Sequence, residues 1–319
     1  MSRRDALLAL LVALLWGFNF VVIEWGMDGI PPLLFLALRF VVVVVPAVLL
    51  VPRPDLPWTA VARVGVLMSL GQFGFLYASM HAGMPPGLAA LVLQAQVLLT
   101  IVIAAGVLGE RPSARQGVGV LVGSLGLAVV AVGRDVTTPL PALLLCLAGA
   151  LSWAAGNVAA RAAGAAGGLS LTVWSALVVP VPALGLSLLL DGPSAVGAGL
   201  AAIGVPALLS TLYTAVLASL VGYGIFTGLL GRYPAGKVVP WILLVPPVAM
   251  TSAWLLRGDR PALLEVAGGL VLLAGAAVAL LPERRGRGVP VAVTATVGEG
   301  TAPVPQPSGA SAPCRPDSV

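Results

Sequence analysis

The sequence predicts an all-α membrane protein with ten transmembrane helices, arranged as two inverted five-helix repeats. Three observations predict it: the composition, the length of the apolar runs and a motif that occurs twice. Of 319 residues, 59% are hydrophobic and 9% are charged, whereas a soluble domain is about half apolar and about a quarter charged. Apolar runs of about 20 residues follow one another, each long enough to cross about 30 Å of hydrocarbon as a helix. The runs are continuous rather than alternating, which excludes a transmembrane β-barrel.

The predicted spans are separated by short connections rich in proline and glycine. Pro31-Pro32 and Pro85-Pro86 mark two boundaries, because proline cannot continue a helix from the preceding turn. One connection, residues 191–206, is longer. The start, Met1-Ser2-Arg3-Arg4, resembles a signal peptide, but no small-residue cleavage site follows, so we interpret it as leading into an uncleaved first helix. The predicted spans are 6–25, 31–51, 62–81, 86–108, 114–133, 140–160, 169–190, 207–230, 237–256 and 261–281.

Lysine and arginine are unevenly distributed between alternate connections. Twelve fall on one side of the predicted topology, and only Arg134, Arg257 and Arg260 fall on the other. Positive charge in short loops collects on the cytoplasmic side, so the distribution predicts a multi-pass protein with both termini in the cytoplasm. The formal net charge of +5 therefore reports topology, and no basic patch indicates a nucleic-acid partner.

A four-residue motif occurs twice at an interval of 149 residues. Gly109-Glu110-Arg111-Pro112 precedes the fifth span, and Gly258-Asp259-Arg260-Pro261 precedes the tenth. Because five is odd, the second block must be inverted relative to the first, and inverted halves are the basis of alternating access around a midplane site. Duplication that merely builds a stable bundle is the alternative. Further matches are Gln116 with Glu265, Gly119 with Gly268, Gly126 with Gly275, Pro85 with Pro234, Gly87 with Gly236 and, more loosely, Trp16 to Asn19 with Trp153 to Asn157.

The repeats divide the chain into a first half, residues 1–134, a second half, residues 135–282, and a tail, residues 283–319. The tail is rich in Pro, Gly, Ala, Ser and Thr and has almost no large apolar residues, so we expect it to be disordered and cytoplasmic. Cys146 lies in an apolar run and Cys314 in the tail, a pattern that indicates neither a disulfide framework nor a metal site. No cofactor is expected.

Several motifs resemble the EamA family of the drug/metabolite transporter superfamily. They are Leu15 to Phe20 (Leu-Trp-Gly-Phe-Asn-Phe), Leu38-Arg39-Phe40 and the Gly-Glu-Arg-Pro motif, and the resemblance covers residues 5 to 282. Gly71-Gln72-Phe73 and Leu93 to Gln96 are most similar to members described as exporters of cysteine and O-acetylserine. The resemblance implies secondary export of an amino acid or derivative, driven by an ion gradient. Carriers of drugs or other metabolites in the same superfamily are the alternative.

Arg39 is the clearest site candidate, because an ionisable side chain inside hydrocarbon costs several kcal/mol unless it is paired or hydrated. It lies about eight residues, or about 12 Å, into the second span. A guanidinium forms a two-pronged pair with a carboxylate, as an amino-acid-like solute would require. Alternatively, Arg39 joins helices through backbone carbonyls or Asn19.

Asn19, Gln72 and Gln94 lie at a similar depth and predict a polar layer that contacts solute. The alternative is that these amides bridge membrane helices. Gln96 is about 200° from Gln94 around an ideal helix, so we expect only one to face this cavity.

Aromatic and proline residues complete the predicted site. Trp16, one turn from Asn19, and Tyr223 and Trp241 in the second half are candidate cavity walls, with core packing as the alternative. Pro246-Pro247 falls within the ninth span, where proline frees backbone carbonyls, and broken helices flank many transporter sites. The fourth span has no such pair, so we do not expect the two halves to be functionally equivalent. A kink with only a packing role is the alternative to a hinge.

Glu24 and His81 are the candidates for proton coupling. Both lie near the end of a span, where a wetted rim carboxylate and an interface histidine are the alternatives.

Glycines in the fifth span, Gly119, Gly123 and Gly126, form a face suited to helix packing within the chain or to a homodimer. An intramembrane enzyme is the rival class of function, but the spans carry no set of nucleophile, acid and base or metal ligands. The predicted partners are therefore a small-molecule solute and the lipid bilayer, and the chain is not expected to be an enzyme.

Overall fold

A computed structural model describes residues 1–133, 138–164, 169–233 and 235–281. Regular structure in these residues is entirely helical, and ten helices are long and apolar enough to cross a membrane. Their ends agree with the predicted ranges to within a few residues. The predicted tail, Arg134 and Pro234 lie outside the described residues. In chain order, spans 1 to 10 are Arg3–Gly26, Pro32–Leu50, Trp58–His81, Pro86–Val107, Ala114–Gly133, Leu140–Ala162, Leu169–Leu190, Val205–Leu230, Val239–Arg257 and Leu263–Leu280.

The long connection before span 8 contains a short helix, Pro193–Ala201. It begins with proline in its first turn, where the missing N–H leaves no helical hydrogen bond unmade. Val196 and Gly199 are buried, and a Cβ at Gly199 would lie 2.6 Å from Pro31 Cδ, so this helix packs on the start of span 2. A helix of nine residues is too short to cross a bilayer, so this segment remains part of the connection.

Spans 3 and 8 each contain a π-helical segment at matching positions. The segments are Gly65–Gly71 and Tyr213–Val221. Residues 67–74 (Leu-Met-Ser-Leu-Gly-Gln-Phe-Gly) align with residues 217–224 (Leu-Ala-Ser-Leu-Val-Gly-Tyr-Gly) at an interval of 150. Wider helical turns of this kind occur frequently at functional sites, and here they lie at equivalent places in the two halves.

Spans 4 and 9 are also interrupted near matching positions. Span 4 is interrupted at Gln94, between Pro86–Leu93 and Ala95–Val107. Span 9 is a 3₁₀-helix over Val239–Leu244 and an α-helix from Val245 onward. The interval of 149 takes Gln94 to Leu243, so both spans are interrupted near corresponding positions, although only span 9 has a proline pair there.

The prolines of span 9 lie at this junction. Pro246 and Pro247 occupy the first turn of the α-helical segment, where proline costs no hydrogen bond because the preceding turn has no α-helical ladder to interrupt. Span 4 makes an equivalent interruption without proline. Proline is therefore not required for an interruption at this place. In span 9 the two prolines occupy positions that tolerate them.

Spans 5 and 10 pack against each other in antiparallel orientation through glycines. A Cβ at Gly119 would lie 2.7 Å from the backbone nitrogen of Ala279, and one at Gly268 would lie 2.7 Å from that of Val130. The start of span 5 thus contacts the end of span 10, and the end of span 5 contacts the start of span 10. Because Gly119 and Gly268 are repeat equivalents, the contact is reciprocal, as it is across a two-fold axis. The glycine face is occupied within the chain, so a homodimer would need another surface.

Contacts between the other spans also correspond between the two halves: the main partners of a span are the equivalents of the main partners of its counterpart. Span 1 packs on spans 8 and 9, whereas span 6 packs on spans 3 and 4. Span 2 packs on span 7, and span 4 packs on span 9. This arrangement leaves spans 5 and 10 at one side and gathers the other eight around a central cavity.

Candidate functional site

A cavity of about 190 Å³ lies among eight spans. Six of the seven residues predicted to bind solute line it, drawn from spans 1, 2, 3, 4 and 8. Its volume suits a small molecule rather than a single ordered water. The six are Trp16, Asn19, Arg39, Gln72, Gln94 and Tyr223.

Arg39 is held at the cavity by hydroxyl groups and aromatic rings. Its side chain is only 3% exposed. Its Nη1 atom donates to the Tyr77 hydroxyl at 2.6 Å, and its Nη2 atom donates to the Ser219 hydroxyl at 3.3 Å. The guanidinium carbon lies 4.3 Å from the centre of the Phe73 ring, within the range of a cation–π contact. Arg39 of span 2 is thereby joined to spans 3 and 8.

No carboxylate compensates the charge of Arg39 within the part of the chain that the structure describes. The ion pairs there involve Arg161, Arg232 and Arg257 instead. The Arg39 Nε atom is buried and has no hydrogen-bond partner among the described residues. A buried, unpaired charge is costly, so the cavity presents a cation with an unused donor and no counter-charge.

Trp16 forms one wall of the cavity. Its indole N–H donates to the carbonyl oxygen of Ala218 at 2.8 Å, within the π-helical segment of span 8. Its ring centre lies 4.9 Å from that of Tyr223. The approach depends on Gly222, where a Cβ would lie 2.5 Å from Trp16 Nε1. The glycine therefore allows span 1 to contact span 8 directly beside the cavity.

The amide side chains predicted to form a polar layer are all buried at this cavity. Asn19 is 7% exposed, and its Oδ1 atom has no hydrogen-bond partner among the described residues. Gln94 and Gln96 both line the cavity, so the expectation that only one would do so is wrong. The ideal-helix angle does not apply, because the helix is interrupted at Gln94, where ψ is −13°. Gln96 Oε1 accepts a hydrogen bond from Asn157 Nδ2 at 3.2 Å.

Three residues that position Arg39 were missed from the sequence: Phe73, Tyr77 and Ser219. Hydroxyl and aromatic side chains are common inside membrane spans, so none of them marks a site on its own. The alignment of residues 67–74 with 217–224 carried a signal for Ser219, since it pairs that residue with Ser69, which also lines the cavity.

Other predicted residues do not line the cavity. Trp241 packs against a cluster that includes Val12 and Phe226, and of these only Phe226 reaches the cavity. His81 is exposed at the end of span 3. Pro247 lines a different, surface groove, although the preceding Val245 reaches the cavity.

Glu24 lies at one end of the bundle in a group of three charges, termed here the Arg257 cluster. Arg257 Nη2 is 2.9 Å from Glu24 Oε1, and Arg257 Nε is 3.5 Å from Asp259 Oδ2. The cluster joins the end of span 1 to the end of span 9. It also neutralises one of the arginines that depart from the positive-inside distribution.

The opposite end of the bundle also has an ion pair. Arg161 at the end of span 6 lies 3.0 Å from Glu110, which follows span 4. The interval of 137 that relates Trp16 to Trp153 takes Glu24 to Arg161, and the interval of 149 takes Glu110 to Asp259. Glu24 and Arg161 thus occupy equivalent positions with opposite charge, whereas Glu110 and Asp259 are both acidic and Arg257 corresponds to Leu108. Each end carries an ion pair, but only part of each pair is equivalent between the halves.

The cavity extends toward the Arg161 end. Val64, Ala160 and Leu169 line it on that side. Toward the Glu24 end it is bounded by Ile23 and Leu76, each 1% exposed. A solute in this conformation therefore faces more side chains of the Arg161 end than of the Glu24 end.

Comparison with known proteins gives matches over nearly the whole described chain. The profile of the EamA-like transporter family matches residues 4–132 and again residues 140–281. A probable amino-acid metabolite efflux pump of Salmonella typhimurium is 41% identical over 283 residues, covering 86% of this chain and 94% of the relative. Its Escherichia coli counterpart, named in the same way, is 40% identical over 287 residues, with the same coverage.

Two more distant matches agree in architecture. A probable terminal-alkyne amino-acid exporter of Streptantibioticus cattleyicolor is 27% identical, covering 86% of this chain and 93% of the relative. A solved crystal structure superposes with a TM-score of 0.59 at 20% identity, covering 88% of this chain and 97% of that chain. A similarity at 20% identity shows the fold alone.

Proposed function

Since the chain belongs to the EamA-like transporter family, we propose that it exports a small amino-acid metabolite of the cysteine or O-acetylserine kind across a bacterial inner membrane. The observation that carries the proposal is Arg39, a buried guanidinium in the central cavity with no carboxylate partner among the described residues. The named activity of the two relatives at about 40% identity supports the choice of solute class.

The carboxylate of an amino-acid solute would supply the counter-charge that Arg39 does not have within the described chain. Phe73 and Tyr77 fix the guanidinium, and its Nε atom keeps a free donor. A carboxylate that arrives at this donor forms a charge-assisted hydrogen bond and offsets the buried charge. Because the rings and hydroxyls hold the guanidinium in place, little side-chain entropy is lost on binding.

The solute's ammonium group has a candidate acceptor in Asn19. Its Oδ1 atom is buried without a partner among the described residues, and the rings of Trp16 and Tyr223 line the same cavity. An ammonium group is stabilised by an amide oxygen and by aromatic faces. None of the residues lining the cavity is an Asp, Glu or Lys, so a zwitterion fits better than the cations that a multidrug carrier handles.

Alternating access would exchange the roles of two inverted halves, residues 1–134 and 135–282. The antiparallel packing of spans 5 and 10 and the matching breaks in spans 3, 8, 4 and 9 support this division. The Arg257 cluster and the Arg161–Glu110 pair are both formed in this structure. Opening either end therefore requires one of these ion pairs to separate, and we assign them as the contacts that hold the two ends closed.

Both termini lie in the cytoplasm in this proposal, which places the Arg161 end on the cytoplasmic side. The cavity then extends toward the side from which an exporter takes its solute. Between the two coupling candidates we favour Glu24, because its environment changes when the Arg257 cluster separates. His81 is exposed at a span end and is not among the residues that line the cavity.

Solute uptake into inverted membrane vesicles tests the proposal. Labelled cysteine, O-acetylserine and a panel of other amino acids and drugs should be compared with and without an imposed proton gradient. We expect uptake of amino-acid metabolites that is lost in the Arg39→Gln variant. If no member of the panel moves, and the purified protein instead turns over a substrate, the intramembrane enzyme reading replaces export.

A further inference from the structure

A second concave site lies on the membrane-facing surface between spans 9 and 10. It is a groove of about 470 Å³ whose floor is Leu91 of span 4. Span 9 contributes Met250 and Trp254 to the groove, and span 10 contributes Gly269 and Leu273. The groove is on the opposite side of span 4 from the solute cavity, which Ala90, Leu93 and Gln94 line. It is therefore a separate site.

The length of the groove matches one leaflet of a bilayer. It runs from Arg260 and Pro261, before span 10, down to Leu273. The ten residues from Leu263 to Leu273 rise about 15 Å in an α-helix, which is about half of a 30 Å hydrocarbon core. Its lining is almost wholly apolar below Arg260, apart from Thr251, whose hydroxyl already donates to the Pro247 carbonyl at 2.8 Å.

Arg260 places a positive charge at the mouth of this apolar groove. It is exposed, and no ion pair links it to a carboxylate within the described ranges. It is also one of the few arginines on the side of the topology that carries little positive charge. The neighbouring exception, Arg257, is paired with Glu24 and Asp259, so of these two arginines Arg260 is the one available to bind an anion.

Trp254 indicates the depth in the bilayer at which the groove opens. Its ring is 52% exposed and lies one turn before Arg257 at the end of span 9. Tryptophan at such a position is typical of the membrane–water interface, where headgroups lie. A phosphate at the level of Trp254 and Arg260 would have its acyl chain directed along the groove.

We infer that this groove binds an anionic phospholipid, with its phosphate at Arg260 and one acyl chain between spans 9 and 10. The charge of Arg260 selects the headgroup, and the apolar lining from Trp254 to Leu273 accepts the chain. The inference requires only that the chain spans a bilayer, so it is independent of the solute proposed above.

Native mass spectrometry of the full chain tests the inference. Delipidated protein is incubated with phosphatidylglycerol or phosphatidylcholine of the same acyl composition, and the retained lipid is counted. We expect about fivefold more phosphatidylglycerol than phosphatidylcholine, the factor that one arginine at a membrane surface provides. Arg260→Gln should reduce that ratio to about one.

Two further variants keep the test decisive. Arg111→Gln removes the repeat-equivalent, exposed arginine at the other end and should leave the preference unchanged. Leu270→Trp, at a residue that is 63% exposed and lines the groove, should fill it and lower retained phosphatidylglycerol while Arg260 remains. An unchanged ratio in Arg260→Gln, an equal loss in Arg111→Gln, or full retention in Leu270→Trp would each overturn the inference.

Discussion

The Nη1 atom of Arg39 donates a 2.6 Å hydrogen bond to the hydroxyl of Tyr77 at the edge of the central cavity. The bond orients a cation that has no acidic partner in the described chain, rather than neutralising it. An arginine held in this way is ready to receive an anionic group and does not need to be released from a protein carboxylate first.

Replacing Arg39 should abolish transport while leaving the protein in the membrane. Arg39→Lys keeps the charge but loses the planar donors, so we expect at least a tenfold loss of initial rate, and Arg39→Gln should lose more. Tyr77→Phe is the matched control, because it removes only the orienting hydroxyl and should cause a smaller loss. Normal transport by Arg39→Lys, at equal expression, would reduce Arg39 to a helix-joining residue.

Asn19 should control discrimination between an amino acid and its N-acetyl derivative. The wild type should prefer the free amino acid, because an acetylated nitrogen offers no ammonium group to the Asn19 oxygen. Asn19→Leu should reduce that preference by about tenfold to a hundredfold, since one lost hydrogen bond to a charged group is worth about 1.5–3 kcal/mol. Competition assays in vesicles measure it. Equal inhibition by both compounds in the wild type would rule out an ammonium contact at this residue.

Much of the fold could be predicted from the sequence, because a bilayer imposes length and apolarity on every span. Arg39 was found for the same reason, since a charge in hydrocarbon is conspicuous. The break at Gln94 could not be predicted, as no proline or glycine causes it. Trp241 was predicted as a cavity wall because it is an aromatic residue of the second half similar to Trp16. It lies in the 3₁₀ segment of span 9, where each residue turns about 120° rather than about 100°, and the neighbouring Ile242 lines the cavity instead.

The Arg161–Glu110 pair should tolerate exchange of its charges but not their loss. Glu110→Gln leaves Arg161 without its partner, so we expect weaker closure of that end and faster modification of a cysteine placed at Ala160, which lines the cavity. The double variant Arg161→Glu with Glu110→Arg should restore the wild-type modification rate. The coupling between the two sites should be about 0.5–3 kcal/mol. Additive effects of the single changes would show that the pair does not hold this end closed.

Gly222 should tolerate no side chain, whereas Gly224 in the same helix should. A Cβ at Gly222 would lie 2.5 Å from the indole nitrogen of Trp16, but nothing lies within 4 Å of one at Gly224. Gly222→Ala must therefore displace Trp16 from the Ala218 carbonyl or move span 8 away from span 1, at a cost of about 1–3 kcal/mol. Gly224→Ala should be neutral or slightly stabilising, because alanine favours helix.

Thermal unfolding in detergent and transport in vesicles measure this pair of variants together. We expect Gly222→Ala to lower both the Tm and the transport rate, since the displaced ring is a wall of the cavity. A variant with wild-type Tm but reduced transport would locate the effect at the solute rather than in the packing of spans 1 and 8. Wild-type values for both measurements would mean that Trp16 and span 8 separate at no cost, which contradicts the role assigned to this wall.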